Sequence, residues 1–165
     1  MTDLKWFDAY SGQTTDQLLS LEGKYRTDSL VAAIEKGIGQ KAARHGNKSL
    51  TAEERTVLAI EALEREVNNG GYSQYFENAH EFAPTIVESL VRINCPKTAE
   101  ISKEAIHALN LPALDSASIN TAMISQSDRR DDILGQCDEA YHEAGEDIGG
   151  QLFAFIKVNK SQIKL

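Results

Sequence analysis

The sequence predicts an all-α protein, and three observations carry that prediction. Apolar residues recur at three- and four-residue spacing almost throughout, the signature of helices with one buried face. Strict apolar–polar alternation over the length of a strand is missing. The three prolines, at positions 84, 96 and 112, fall between helical stretches or at their starts, where a missing amide costs nothing. With 165 residues, 41% of them apolar and 25% charged, the chain suits one hydrophobic core. The expected architecture is a single helical domain over residues 1–165, an array of about seven to nine short and medium helices.

Leu18, Leu19 and Leu21 suit a short first helix after Thr14 or Thr15. Leu30, Val31, Ile34 and Ile38 mark a second, which ends near Gly46-Asn47. A third opens at Thr51-Ala52-Glu53-Glu54, a capping box. There the Thr51 hydroxyl accepts the amide of residue 54, and the Glu54 carboxylate reaches back to the amide of residue 51. It continues through Val57, Ile60, Leu63 and Val67 and stops at Asn69-Gly70-Gly71, because glycine turns left-handed without a Cβ clash. A short helix over 72–79 follows. Pro84 then suits the first turn of a helix reaching about Asn94. Ile101, Ala105, Ala108 and Leu109 carry a helix over roughly 97–109. A weaker one covers 116–126, and two strong ones cover 128–145 and 147–159.

The most distinctive passage is Glu66-Val67-Asn68-Asn69-Gly70-Gly71-Tyr72-Ser73-Gln74-Tyr75-Phe76-Glu77-Asn78. Physically it is a helix end, a tight reversal and a new helix whose aromatic residues pack back on the old one. The amides of Asn68, Asn69, Gln74 and Asn78 suit the unpaired backbone groups of such a junction. Glu66 is expected to accept backbone amides of the turn. The passage resembles the signature of the bacterial DNA mimic protein family, a domain-of-unknown-function family. The similarity is best over 51–111, looser over 131–159 and weak over 1–50. It implies an all-α fold, a homodimer, and carboxylates displayed like DNA phosphates toward a DNA-binding protein such as a transcriptional regulator. Glu66, Asn68, Asn69, Gly70, Gly71, Gln74 and Asn78 carry over as fold residues.

The charge pattern points to a protein partner on separate grounds. The chain carries a formal charge of −8, and an acidic chain has no cations with which to displace the counterions of a nucleic acid. Residues 131–147 hold seven acidic groups and no Lys or Arg. Counting about 100° per residue from Ile133, the residues Cys137, Ala140, Tyr141, Ala144 and Ile148 cluster near about 40°. Asp131, Asp132, Asp138, Glu139, Glu143 and Glu146 fall between about 140° and 280°, an acidic stripe opposite the core. Ordinary solvated faces intersperse cations at i,i+4, which relieves repulsion, and here they are absent. Glu54, Glu61 and Glu64 form a smaller second stripe.

Three Glu-x-x-His pairs, Glu77/His80, Glu104/His107 and Glu139/His142, invite comparison with carboxylate-bridged metal centres of helical bundles. Two of the pairs fall off the apolar faces of their helices, so no metal or other cofactor is expected. Neither a phosphate-binding glycine loop nor a nucleophile elbow occurs. Cys137, on a core face, reads as buried, and Cys95 has no base beside it. The two cysteines match no metal or redox spacing, and with no secretory segment or apolar span they suggest a cytoplasmic setting. Trp6, Phe7 and Tyr10 suit either core closure or a subunit interface. The expected function is non-enzymatic: an acidic decoy that binds a DNA-binding or other basic protein, with no direct nucleic-acid or membrane binding. An immunity protein using the same face against a cationic toxin is the second reading, and a metal-dependent helical enzyme the third.

Overall fold

The computed structural model describes residues 3–165. They form eight α-helices: α1 Thr15–Leu19, α2 Thr27–His45, α3 Ala52–Asn78, α4 Ala83–Arg92, α5 Pro96–Ala108, α6 Ser116–Ile124, α7 Asp128–Glu143 and α8 Ile148–Val158. Among the described residues there is no strand, only isolated bridges at Lys5, Glu22 and Tyr25. The predicted helix over 72–79 is the last part of α3, which kinks sharply at Gly70 and Gly71. Side-chain caps set the starts of several helices. Thr14 accepts the Gln17 amide, Asp115 that of Ser118, Ser127 that of Arg130 and Asp147 that of Gly150. Gly149 and Gly150, read from sequence as a close approach or kink, lie in the first turn of α8 beneath that cap.

The chain packs as two compact units. The first comprises the residues up to Glu61 together with Asp147–Leu165. In it α2 packs against α1 and α8. Leu18, Leu30, Ile34, Ile38 and Val57, which marked their helices in the sequence, are buried, and so are Leu152 and Ile156 of α8 and Ile163 beyond its end. Two buried or half-buried hydroxyls hold the C-terminal segment: Thr15 donates to the Ile163 carbonyl at 2.7 Å and Thr51 to that of Gln162 at 2.9 Å. Of the early aromatic residues, Phe7 packs edge-on to Tyr25 with ring centroids 5.2 Å apart. Trp6 stays 51% exposed beneath the Arg26 guanidinium, and Tyr10 lies against Gly37.

The second unit, Ala62–Glu146, has α5 packed against both α4 and α7. Its interior is aromatic where the kinked end of α3 folds back. Tyr72, Tyr75 and Phe76 are fully buried, and Tyr72 meets Tyr141 of α7 edge-on at 6.1 Å. Burial pushes both tyrosine hydroxyls to higher pKa, and Tyr72 meets the Ser102 hydroxyl at 2.7 Å. A buried hydroxyl left without such a partner would cost on the order of 1–3 kcal/mol.

Candidate functional site

The helix corner depends on a residue far away in sequence. Gly71 has φ +76°, a left-handed backbone that disfavours a side chain, and a Cβ there would run into the Asp138 carboxylate. Asp138 Oδ1 accepts the Tyr72 backbone amide at 2.7 Å. That amide begins a new helical run, so it has no carbonyl of its own helix to reach. Glu66 takes a different part from the one its position suggested. Its carboxylate accepts two side-chain amides, Gln74 at 2.9 Å and Asn78 at 3.0 Å, instead of backbone amides. Asn78 and then Gln74 hold its pKa below the usual carboxylate range. Asn68 donates to the Glu64 carbonyl at 2.7 Å, and Asn69 and Gly70 are exposed.

Several acids assigned to the outward stripes are therefore corrected. Asp138 is half-buried at the corner because the buried residues of α7, Arg130, Leu134, Cys137 and Tyr141, centre about 30° further round than the apolar residues alone suggest. Glu146 lies beyond the end of α7, since Gly145 at φ +67° turns the chain away, so its place on the helical wheel does not apply. It caps α5, accepting the Lys97 amide at 2.9 Å, the Thr98 amide at 2.8 Å and the Thr98 hydroxyl at 2.7 Å. Partial burial raises its pKa, but the Thr98 and Lys97 donors outweigh that and hold it low. Asp131 is exposed yet paired with Arg130, Nη2 to Oδ1 at 2.8 Å.

The second stripe does not form an outward row either. Glu54 is fully buried and pairs with Lys41 at 2.8 Å. It also accepts the backbone amides of Thr51 at 3.0 Å and Lys164 at 2.8 Å. The first of these is the capping box read from the sequence, and a carboxylate folded back into its own cap is not on display. Glu64 is half-buried and accepts the Tyr141 hydroxyl, and Glu61 is half-buried.

Asp128, Asp132, Glu139 and Glu143 remain. All four are exposed on α7, and none of their side chains bonds to another described residue. At about 100° per residue they fall within an arc of about 60°. Along the axis they reach about 22 Å. Asp128 was not among the acids assigned to the stripe, although it stands four residues before Asp132 on the same side. The signal was its register, overlooked because it precedes the run without cations.

Among the described residues no three His, Cys, Asp or Glu side chains gather as metal ligands. His142 is exposed and meets Tyr141 edge-on at 5.5 Å. Glu104 and His107 line an open cavity of about 350 Å³ with Ser127, Arg129 and Arg130. Cys95 and Cys137 are free thiols, both buried, and burial pushes the Cys137 thiol up to about 11. No helix among the described residues is long and apolar enough to cross a membrane.

No curated protein matches this chain. The family model of the DMP19-like protein matches residues 48–159, which takes in the corner, Asp138 and the whole exposed row of α7. That span is well over half of the sequence, and the chain belongs to the DMP19-like family.

Proposed function

We propose that this protein works without catalysis, as an acidic decoy that occupies the cationic groove of a DNA-binding protein. The observation that carries the reading is the row Asp128, Asp132, Glu139 and Glu143, four exposed carboxylates on one helix face, none of which forms an ion pair among the described residues. Family membership supports the same reading, as does the net charge of −8. Charge on duplex DNA recurs about every 3.4 Å of axis per strand. The row is therefore sparser than a phosphate strand over a comparable reach, so the partner's cations would meet fewer, fixed charges. Such a surface acts by steering the partner at long range and then competing with DNA for its site. A homodimer, inherited from the family resemblance, would present the row twice, and light scattering coupled to size exclusion measures that.

The test uses the purified chain as bait in native lysate. Captured protein should elute as salt is raised, bind duplex DNA by itself, and be displaced from the bait by that duplex. The variant Asp132→Lys/Glu139→Lys/Glu143→Lys should capture none of it. Capture of a cationic protein with no affinity for DNA would overturn the decoy reading, and so would unchanged capture by the triple variant.

A further inference from the structure

A second charged feature has the opposite sign. In the first unit, the C-terminal end of α2, the N-terminal segment and the C-terminal segment enclose an open cavity of about 240 Å³. Its cations are Lys41, Arg44 and His45 from α2 and Lys164 from the last residues of the chain. The charge of Lys41 is cancelled by buried Glu54. Arg44, His45 and Lys164 are exposed, and among the described residues none of their side chains forms an ion pair. Lys164 is fixed at its backbone: its amide donates to Glu54 at 2.8 Å and its carbonyl accepts Lys41 Nζ at 3.0 Å. The same buried pair that neutralises Lys41 thus holds the Lys164 backbone at the cavity that Arg44 also lines.

An aromatic side chain, Tyr10, also lines the cavity. Tyr10 packs so close to α2 that a Cβ at Gly37 would lie 2.7 Å from its hydroxyl and 3.1 Å from the Leu165 Cβ. Glycine at this position lets the hydroxyl end of the Tyr10 ring reach the helix backbone, which places an aromatic side chain in the lining of the cavity. Cations near a helix C-terminus offset its negative end, and that accounts for Arg44 and His45. It does not account for Lys164, which belongs to another segment, or for Tyr10.

From this geometry we propose that the cavity binds a small phosphorylated molecule with a flat apolar part. The phosphate would lie between Arg44, His45 and Lys164, and the flat part against Tyr10. Two exposed positive charges and an imidazole suit a dianion better than a single carboxylate, and a guanidinium pairs with phosphate oxygens two at a time. The volume is below the roughly 300–1,000 Å³ of drug-sized sites, so the occupant is small. A polymeric nucleic acid is disfavoured by the net charge of −8. This site is independent of the acidic row of α7, and either reading stands or falls alone.

Titration of the full chain with phenyl phosphate, inorganic phosphate and phenol, followed by amide chemical shifts, tests the assignment. Phenyl phosphate should shift the amides of Gly37, Arg44, His45 and Lys164 saturably and bind several-fold more tightly than inorganic phosphate, and phenol should shift none of them. Arg44→Glu and Lys164→Glu alter exposed side chains, and each should weaken phenyl phosphate by about tenfold, the scale of one charge-assisted hydrogen bond. Lys48→Glu, a nearby cation outside the cavity, should leave binding unchanged. Absence of saturable shifts in the wild-type chain overturns the proposal. Equal weakening by Lys48→Glu does so as well, as does tighter binding of a DNA oligonucleotide than of phenyl phosphate.

Discussion

Asp138 and Tyr72 are 66 residues apart, and the carboxylate of one accepts the backbone amide of the other at 2.7 Å. The bond ties the middle of α7 to the first amide after the glycine kink of α3. It sets Asp138, an acid that holds the fold, apart from the exposed acids of α7. Asp138→Ala should lower stability by about 1–3 kcal/mol by leaving that amide unsatisfied. Asp138→Asn keeps an acceptor and should cost about half as much. Neither should reduce partner capture, whereas Glu139→Lys should. Urea denaturation read beside the capture assay checks both outcomes.

Gly71 faces the same carboxylate. Gly71→Ala combines a left-handed φ with a collision against Asp138, and the expected loss is about 2 kcal/mol. Gly135, with open space around it on α7, is the control. Gly135→Ala should be neutral or stabilising by up to about 1 kcal/mol. Thermal melts of the two variants should move apart.

Glu54 accepts four hydrogen bonds from a fully buried position. Glu54→Ala removes one half of the capping box of α3 and leaves Lys41 without its counter-charge, so about 3 kcal/mol should be lost. Glu53→Ala, one residue away and half-buried, should cost much less. Comparison of their denaturation midpoints decides whether Glu54 belongs to the fold or to a recognition surface.

The acid side of the stability profile should report Glu66 and Glu146. Both carboxylates are held below their ordinary pKa, Glu66 by Asn78 and Gln74, Glu146 by the Thr98 and Lys97 donors despite burial. A depressed folded pKa contributes stability that is complete above the unfolded value, about 4.3 for glutamate, and is lost as pH falls through the folded one. Stability owed to these two groups should be flat between pH 7 and pH 6 and decline below about pH 4. In Glu66→Gln and Glu146→Gln that decline should be shallower.

Helix α3 runs without a break in hydrogen bonding past Glu61 and Ala62, where one compact unit ends and the other begins. Helix formation is cooperative along the chain. We therefore expect one unfolding transition, in keeping with a single domain over residues 1–165. Trp6, the single tryptophan, reports the first unit, and far-ultraviolet dichroism reports all helices. Coincident midpoints are the expected result, and separate ones would mean two domains.

Helix positions were legible in the sequence because each depended on local signals: apolar spacing, Thr51 and Glu54, Pro84, and the glycines after Asn69. The corner was legible as a corner, but its acceptor was not, because no local signal links Tyr72 to a residue on α7. The acidic face was half legible. Helical periodicity placed Asp132, Glu139 and Glu143 correctly on the exposed side, but the wheel was phased on apolar residues alone. Arg130 is buried in α7, and counting it among the inward residues rotates the face toward Asp138. Glu54 was legible twice, as a cap and as part of a stripe, and only the cap is compatible with its burial.

Arg130 also bears on how α7 looks from a distance. Its guanidinium is sequestered, donating to the carbonyls of Ala122 and Ser125 and to Asp131. One positive and one negative charge of the helix thus cancel at short range. Arg129 is left as the exposed arginine of α7, so the pair leaves the net charge that a diffusing visitor feels unchanged, while a single exposed guanidinium of the helix remains to interrupt its anionic face.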